Sequence, residues 1–171
     1  MGMEMALKEV NNIDKNYLRM AFIEAEKSEA IRLKVGAVIV KNDRIISNGH
    51  NQQPNNMSKV CEIVKDDTER IPLEDDDKEL EYLKSLPTDS LQSKSTVRHA
   101  EISAILKARR KTSCKDATIY VTHQPCADCA KRIIKAKIKR VVYSLPYRIE
   151  DGLELLKKAK IRVDKIECCN F

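Results

Sequence analysis

The stretch from Ala117 to Tyr147, ATIYVTHQPCADCAKRIIKAKIKRVVYSLPY, constrains the fold more than any other part of the chain. A β-rich run, ATIYVT, leads into a Pro-headed segment of helix formers, and a second β-rich run, RVVYS, follows. Strand, helix and strand in that order need a crossover, so the two strands pair in parallel. The segment VRHAEISAILKARRK before them repeats small and apolar residues at helical spacing, and GLELLKKAK then IRVDKI add another helix and strand. Upstream, Val35–Val40 and Arg44–Ser47 flank the turn signal Lys41-Asn42-Asp43, which reads as a β-hairpin. Ile13 to Glu29 reads as an amphipathic helix, with Tyr17, Met20, Ala21 and Ala25 on its apolar side and Asp14 as N-cap. Together these predict an α/β fold: a three-layer α/β/α sandwich around a mixed five-stranded sheet.

Residues 1–171 read as a single domain of ordinary size, with an acidic insertion at about 55–95. Within it, Pro72 precedes Glu74, Asp75, Asp76 and Asp77, negative charge suited to the first turn of a helix. Leu80, Leu83 and Leu86 give that helix an apolar side, and the acid run reads as its solvated start. The rest of the chain is basic enough to leave a net charge of +6, which suits an anionic ligand. Trp is absent and aromatics are scarce, so stacking platforms for single-stranded nucleic acid are few. The N-terminal residues show no apolar secretory region, and no stretch approaches the ~20 apolar residues of a membrane span. The expectation is a cytoplasmic protein, in the host cytosol if viral, where the six cysteines serve metal, catalysis or burial before disulfides.

Cys126 and Cys129 are three apart behind Pro125, at the start of a predicted helix. That spacing puts both thiols on one face, and a helix N-terminus lowers a thiol pKa. Two thiolates do not close a zinc site, and C-x-x-C alone also suits a redox dithiol. The second half is Arg98-His99-Ala100-Glu101, again at a helix start. His99 can be the third ligand, and Glu101, two residues on, is near the metal without binding it. H-x-E followed by P-C-x-x-C is the signature of zinc-dependent nucleobase deaminases.

On these motifs the chain resembles the cytidine deaminase superfamily, and most of all the phage-type deoxycytidylate (dCMP) deaminases. The resemblance runs through KVGAVIVKNDRIISNGHN, VRHAEISAILKARRK, the segment quoted first, and ELLKKAKIRV. It implies one catalytic Zn2+ per subunit on His99, Cys126 and Cys129. Glu101 would then be the proton shuttle in hydrolysis of dCMP to dUMP and ammonia, supplying dUMP for thymidylate synthesis. It further implies that the Ala100 backbone N–H meets the ring carbonyl and that Asn51 contacts the sugar and base edge; Asn-Gln-Gln-Pro is equally loop chemistry by its residues. Lys27, Ser28, Arg32 and Lys34, with Tyr147, are the implied phosphate clamp. A homo-oligomer, a hexamer by resemblance, and regulation by Mg2+-bound dCTP or dTTP complete the expectation. Gly49-His50-Asn51-Gln52-Gln53-Pro54 departs from the G-Y-N-G-x-P of relatives, where that loop leads to the effector region. Cys61, Cys114, Cys168, Cys169 and His50 are assigned no second metal. The alternatives are a tRNA adenosine-type deaminase acting on nucleic acid, a deaminase of another free nucleoside or base, and a zinc-stabilised binding module. The acidic insertion weighs against a nucleic-acid partner, and Glu101 against a module without turnover.

Overall fold

The elements follow in the order α1 (Gly2–Ala25), β1 (Gly36–Lys41), β2 (Arg44–His50), β3 (Glu62–Val64), α2 (Asp76–Lys84), β4 (Leu91–Ser93), α3 (Ala100–Arg109), β5 (Thr118–His123), α4 (Ala127–Lys135), β6 (Arg140–Leu145), α5 (Asp151–Lys158) and β7 (Arg162–Lys165). The computed structural model describes residues 2–55, 57–67, 69–147 and 151–168, with 2–11 described through their backbone alone. Cys169 lies outside the described residues.

Period-2 alternation divides the main sheet into two buried faces. Ala37 and Ile39, Ile119 and Val121, and Val141 and Tyr143 point to one core with α3, α4 and α5. The intervening Val38, Val40, Tyr120 and Val142 point to the other, against Leu18 and Ala21 of α1. Helices on both faces give three layers, and the five strands run in the order β2-β1-β5-β6-β7. β1 is antiparallel to β2 and β5, whereas β5, β6 and β7 are parallel. Asn42 and Asp43 turn the hairpin with φ of 50° and 57°, the left-handed pair that a two-residue turn requires. Gly49 lets β2 lie against the first turns of α3: a Cβ there would sit 2.5 Å from the Ala104 nitrogen and 2.7 Å from the Ala100 oxygen.

The first helix differs from its sequence reading. It begins upstream of Ile13 and ends at Ala25, so Asp14 is an interior residue and not an N-cap. Its buried carboxylate accepts from Arg140 Nη1 at 2.9 Å, Arg140 Nη2 at 2.8 Å and the Tyr120 hydroxyl at 2.7 Å. Ile13 and Met20 are exposed, and the helix is buried through Asp14, Leu18, Ala21 and Ala25 instead. A tertiary ion pair with β6 outweighs the local capping preference of aspartate.

After β2 the chain leaves the sheet. β3 and β4 pair as an antiparallel ribbon, and Val60, Leu80, Leu83 and Leu91 form a small core of their own beneath α2. Asp75 caps α2, accepting from the Asp77 and Lys78 nitrogens. The acids of this segment are not all solvated. Glu79 is buried and holds Arg70 by two hydrogen bonds of 2.6 and 2.9 Å, and Glu62 is buried as well. The excursion closes where Gln52 and Arg98 exchange backbone hydrogen bonds of 3.0 and 2.8 Å, one residue before His99.

Candidate active site

Three chain segments meet at the carboxyl ends of β5 and β6, where open α/β sheets place their ligands. His99 is the N-cap of α3, and Cys126 is the N-cap of α4. Both helices therefore aim their amino ends at one point. His99 Nδ1 lies 3.5 Å from Cys126 Sγ and 3.3 Å from Cys129 Sγ, and the three ligand atoms lie within 4.8 Å of one another. Zn–N and Zn–S bonds of ordinary length in a tetrahedron separate N from S by about 3.6 Å, so the spacing fits zinc. Glu101 is buried two residues after His99, in the first turn of α3. A cavity of about 520 Å³ opens over the cluster, with Asn51, His99, Ala100, Glu101 and Cys126 in its wall.

The family model for the cytidine and deoxycytidylate deaminase zinc-binding region matches residues 11–145. The chain belongs to the cytidine and deoxycytidylate deaminase family. It is 33% identical to the deoxycytidylate deaminase of Enterobacteria phage T4 over 147 residues, 76% of each chain. It is also 33% identical to that of Enterobacteria phage T2, over 90% of this chain and 92% of the phage protein. The crystal structure of dCMP deaminase from the cyanophage S-TIM5, in complex with dCMP and dUMP, superimposes with a TM-score of 0.71 at 31% identity, over 90% of this chain and 96% of that one.

For a member of a zinc-binding family, the donor chemistry is apt. Hydrogen bonding from Cys129 pulls the Cys126 thiol down to about 4, against its burial and with help from His99. The same bond, and then burial, push the Cys129 thiol far up. A divalent ion held between the two sulfurs would favour the thiolate form of both. Two thiolates and a neutral imidazole leave one of zinc's four positions open, the pattern of a catalytic site. Burial drives the Glu101 carboxyl above the ordinary carboxylate range, offset by the neighbouring His99. A carboxyl so placed can hold a proton as well as release one.

The other sequence candidates fall into two groups. Arg32, Asn51, Ala100 and Tyr147 line the cavity. The Asn51 amide spans the facing segment, accepting from the Val35 nitrogen at 2.8 Å and donating to the Leu33 oxygen at 2.8 Å. Lys27 is held by Glu24 at 2.7 Å and Lys34 by Glu26 at 3.5 Å, and neither lines the cavity. Ser28 is buried and donates to the Asn51 carbonyl at 2.7 Å. His50 pairs with Glu24 at 3.0 Å. Among the described residues, the His99, Cys126 and Cys129 group is the only one able to hold a metal.

Sequence reasoning did not reach Ser93, Lys94, Val97, His123, Gln124 or Leu145, which also line the cavity. His123 ends β5 and Gln124 follows it, directly before Pro125, so their nearness to the cysteines was a usable signal. Ser93 and Lys94 come from the insertion, and no periodicity or spacing marks them. No helix among the described residues is long and apolar enough to cross a membrane.

Proposed function

We propose that this chain hydrolyses dCMP to dUMP and ammonia. The observation that carries the reading is the His99, Cys126 and Cys129 cluster with buried Glu101 beside it, with His99, Glu101 and Cys126 on the cavity wall, in a family whose T4 and T2 phage relatives are deoxycytidylate deaminases. The cyanophage relative with dCMP and dUMP in its crystal structure supports the same substrate.

His99, Cys126 and Cys129 would hold the ion. Zinc bound there supplies a Lewis acid that activates water as a nucleophile at neutral pH. Glu101 accepts a proton from the attacking water and delivers it to N3 of the cytosine ring. It then helps protonate the exocyclic amine, the C4–N bond breaks, ammonia leaves and a C4 carbonyl remains. The Ala100 N–H, at the first turn of α3, donates to the ring carbonyl. Asn51, already tied to residues 33 and 35, presents its remaining amide hydrogen to the sugar. Arg32 and Tyr147 belong to the phosphate end of the cavity, and Ser28 holds the Asn51 carbonyl in place.

The same proposal includes one domain over 1–171, a homo-oligomer up to a hexamer, a cytoplasmic site of action, and response to Mg2+-bound dCTP or dTTP. Family resemblance supports all four. The effector response meets a changed loop: His50 and Gln52 replace the residues of relatives there, and His50 is engaged by Glu24. Size-exclusion chromatography with light scattering, with and without dCTP, tests the assembly and the effector together.

The deciding experiment is ammonia release from dCMP, CMP, deoxycytidine and a tRNA anticodon stem-loop by the zinc-loaded protein. Turnover of dCMP well above the others is expected. Turnover of the RNA alone would replace this reading with a nucleic-acid deaminase. Glu101→Gln should retain zinc and lose on the order of 10²–10⁴-fold in kcat; near-normal turnover would remove Glu101 from the proton path.

A further inference from the structure

The insertion forms part of the cavity wall. Ser93 and Lys94, at the end of β4, line it together with Arg32 from the segment between α1 and β1. The Lys94 backbone is fixed: its nitrogen donates to the Cys61 oxygen at 2.8 Å, and its oxygen accepts from the Val97 nitrogen at 3.1 Å. Lys94 is half-buried, and its ammonium is in no ion pair among the described residues; neither is the Arg32 guanidinium. The insertion acids whose fields Lys94 feels have partners of their own. Asp76 is bound by Ser58 and the Lys59 nitrogen, and Glu79 by Arg70. The cavity wall therefore carries Glu101 at the metal-ligand end and the free cations Arg32 and Lys94 elsewhere.

A second observation joins the two cations. Glu62, 1% exposed on β3, pairs across the ribbon with Ser93. Its Oε1 accepts from the Ile31 nitrogen at 3.1 Å and the Arg32 nitrogen at 3.4 Å, while Oε2 has no partner. One buried carboxylate thus ties the ribbon carrying Lys94 to the backbone carrying Arg32. A buried carboxylate left half-satisfied is costly, and here it links the two segments that carry these cations.

We infer that Lys94, delivered by the acidic insertion, is a specificity-determining residue that receives the phosphate monoester of the nucleotide opposite Arg32, with Glu62 as the positioning residue between them. The inference rests on the reading of this cavity as a nucleotide site. It makes the insertion the reason a nucleotide is preferred over its nucleoside. Two cations facing one dianion form charge-assisted hydrogen bonds, and the loss of one costs about 10- to 100-fold in affinity.

The test uses the full-length zinc-loaded protein and the product pair dUMP and deoxyuridine, so that binding is read without turnover. Calorimetric titration should show Lys94→Met weakening dUMP by about 10- to 100-fold with deoxyuridine unchanged, and Lys94→Arg recovering most of the loss. Kinetically, the KM for dCMP should rise while kcat holds. Glu62→Ala should move the dUMP affinity in the same direction. Glu62→Gln, which keeps the carbonyl acceptor for Ile31 and Arg32, should restore it. Equal weakening of both ligands, or no weakening of dUMP, in a Lys94→Met protein of wild-type melting temperature overturns the inference. So does a wild-type protein that binds the two ligands alike. Phosphate-selective binding lost in Lys94→Met, without ammonia release from dCMP by the wild type, would leave the inference standing and sink the catalytic reading instead.

Discussion

At the scale of single residues, the site depends on two helix starts and on what lets them approach. His99, Glu101, Cys126 and Cys129 were legible because an N-cap and the turn after it have a local geometry that spacing alone fixes. What lets the second start sit where it does is less visible. Gly152 on α5 faces the Pro125–Cys126 peptide: a Cβ there would lie 2.1 Å from the Pro125 oxygen and 2.8 Å from the Cys126 carbonyl carbon. Gly152→Ala must therefore push α5 or the Cys126 backbone aside. Overpacking of this kind costs about 1–3 kcal/mol, and the displaced thiolate should lower zinc affinity alongside thermal stability. Metal competition with a chromophoric chelator checks it. A variant that loses stability but holds zinc as tightly as the wild type would separate α5 packing from the metal ligands.

Among the elements, the insertion is the one whose sequence most understates its part. Its acid run reads as a solvated helix start, and Asp75 does cap α2. Yet Glu79 and Glu62 are buried and bind Arg70 and the backbone of residues 31 and 32. The hydrogen bond from Arg70 holds the Glu79 carboxyl below the ordinary glutamate range, against its burial. A depressed carboxyl stabilises the fold fully above its unfolded pKa, and that contribution fades as pH falls through the lower folded value. Arg70→Met should cost about 1–3 kcal/mol at pH 7, since it strands a buried carboxylate. The gap between wild type and variant should shrink as the pH drops below roughly 4. Urea titrations of both proteins at matched pH read that difference directly, and loss of metal in acid affects the two alike. A gap independent of pH would assign the Arg70 effect to its packing over the Tyr82 ring, 4.3 Å away.

For the molecule as a whole, one buried network ties the layers together. Arg140 on β6 binds Asp14 of α1 and Asp164 of β7, and Asp14 also receives the Tyr120 hydroxyl from β5. Burial first, and then these two carboxylates, act on the guanidinium, and the net effect pushes its pKa up, so it stays charged. Arg140→Met leaves Asp14 buried beside an apolar chain and should destabilise by about 3 kcal/mol. Lys131→Met, which removes the exposed pair with Asp128, should leave the unfolding midpoint unchanged. Calorimetric melting of both variants tests the contrast; equal effects would mean that α1 is held by its apolar face alone.

From the sequence alone came the strand and helix order of the five-stranded sheet, the parallel pairing after residue 117, the hairpin, and the four residues at the metal-binding corner. Each of these rests on a period or a spacing within a few residues. Tertiary structure alone decided that Asp14 serves an ion pair with Arg140, that Glu62 binds the backbone of residues 31 and 32, and that Lys94 reaches the cavity. Those outcomes join residues far apart in the chain. Charge and burial at such meetings depend on which segments pack together, and neither helical nor strand periodicity carries that information.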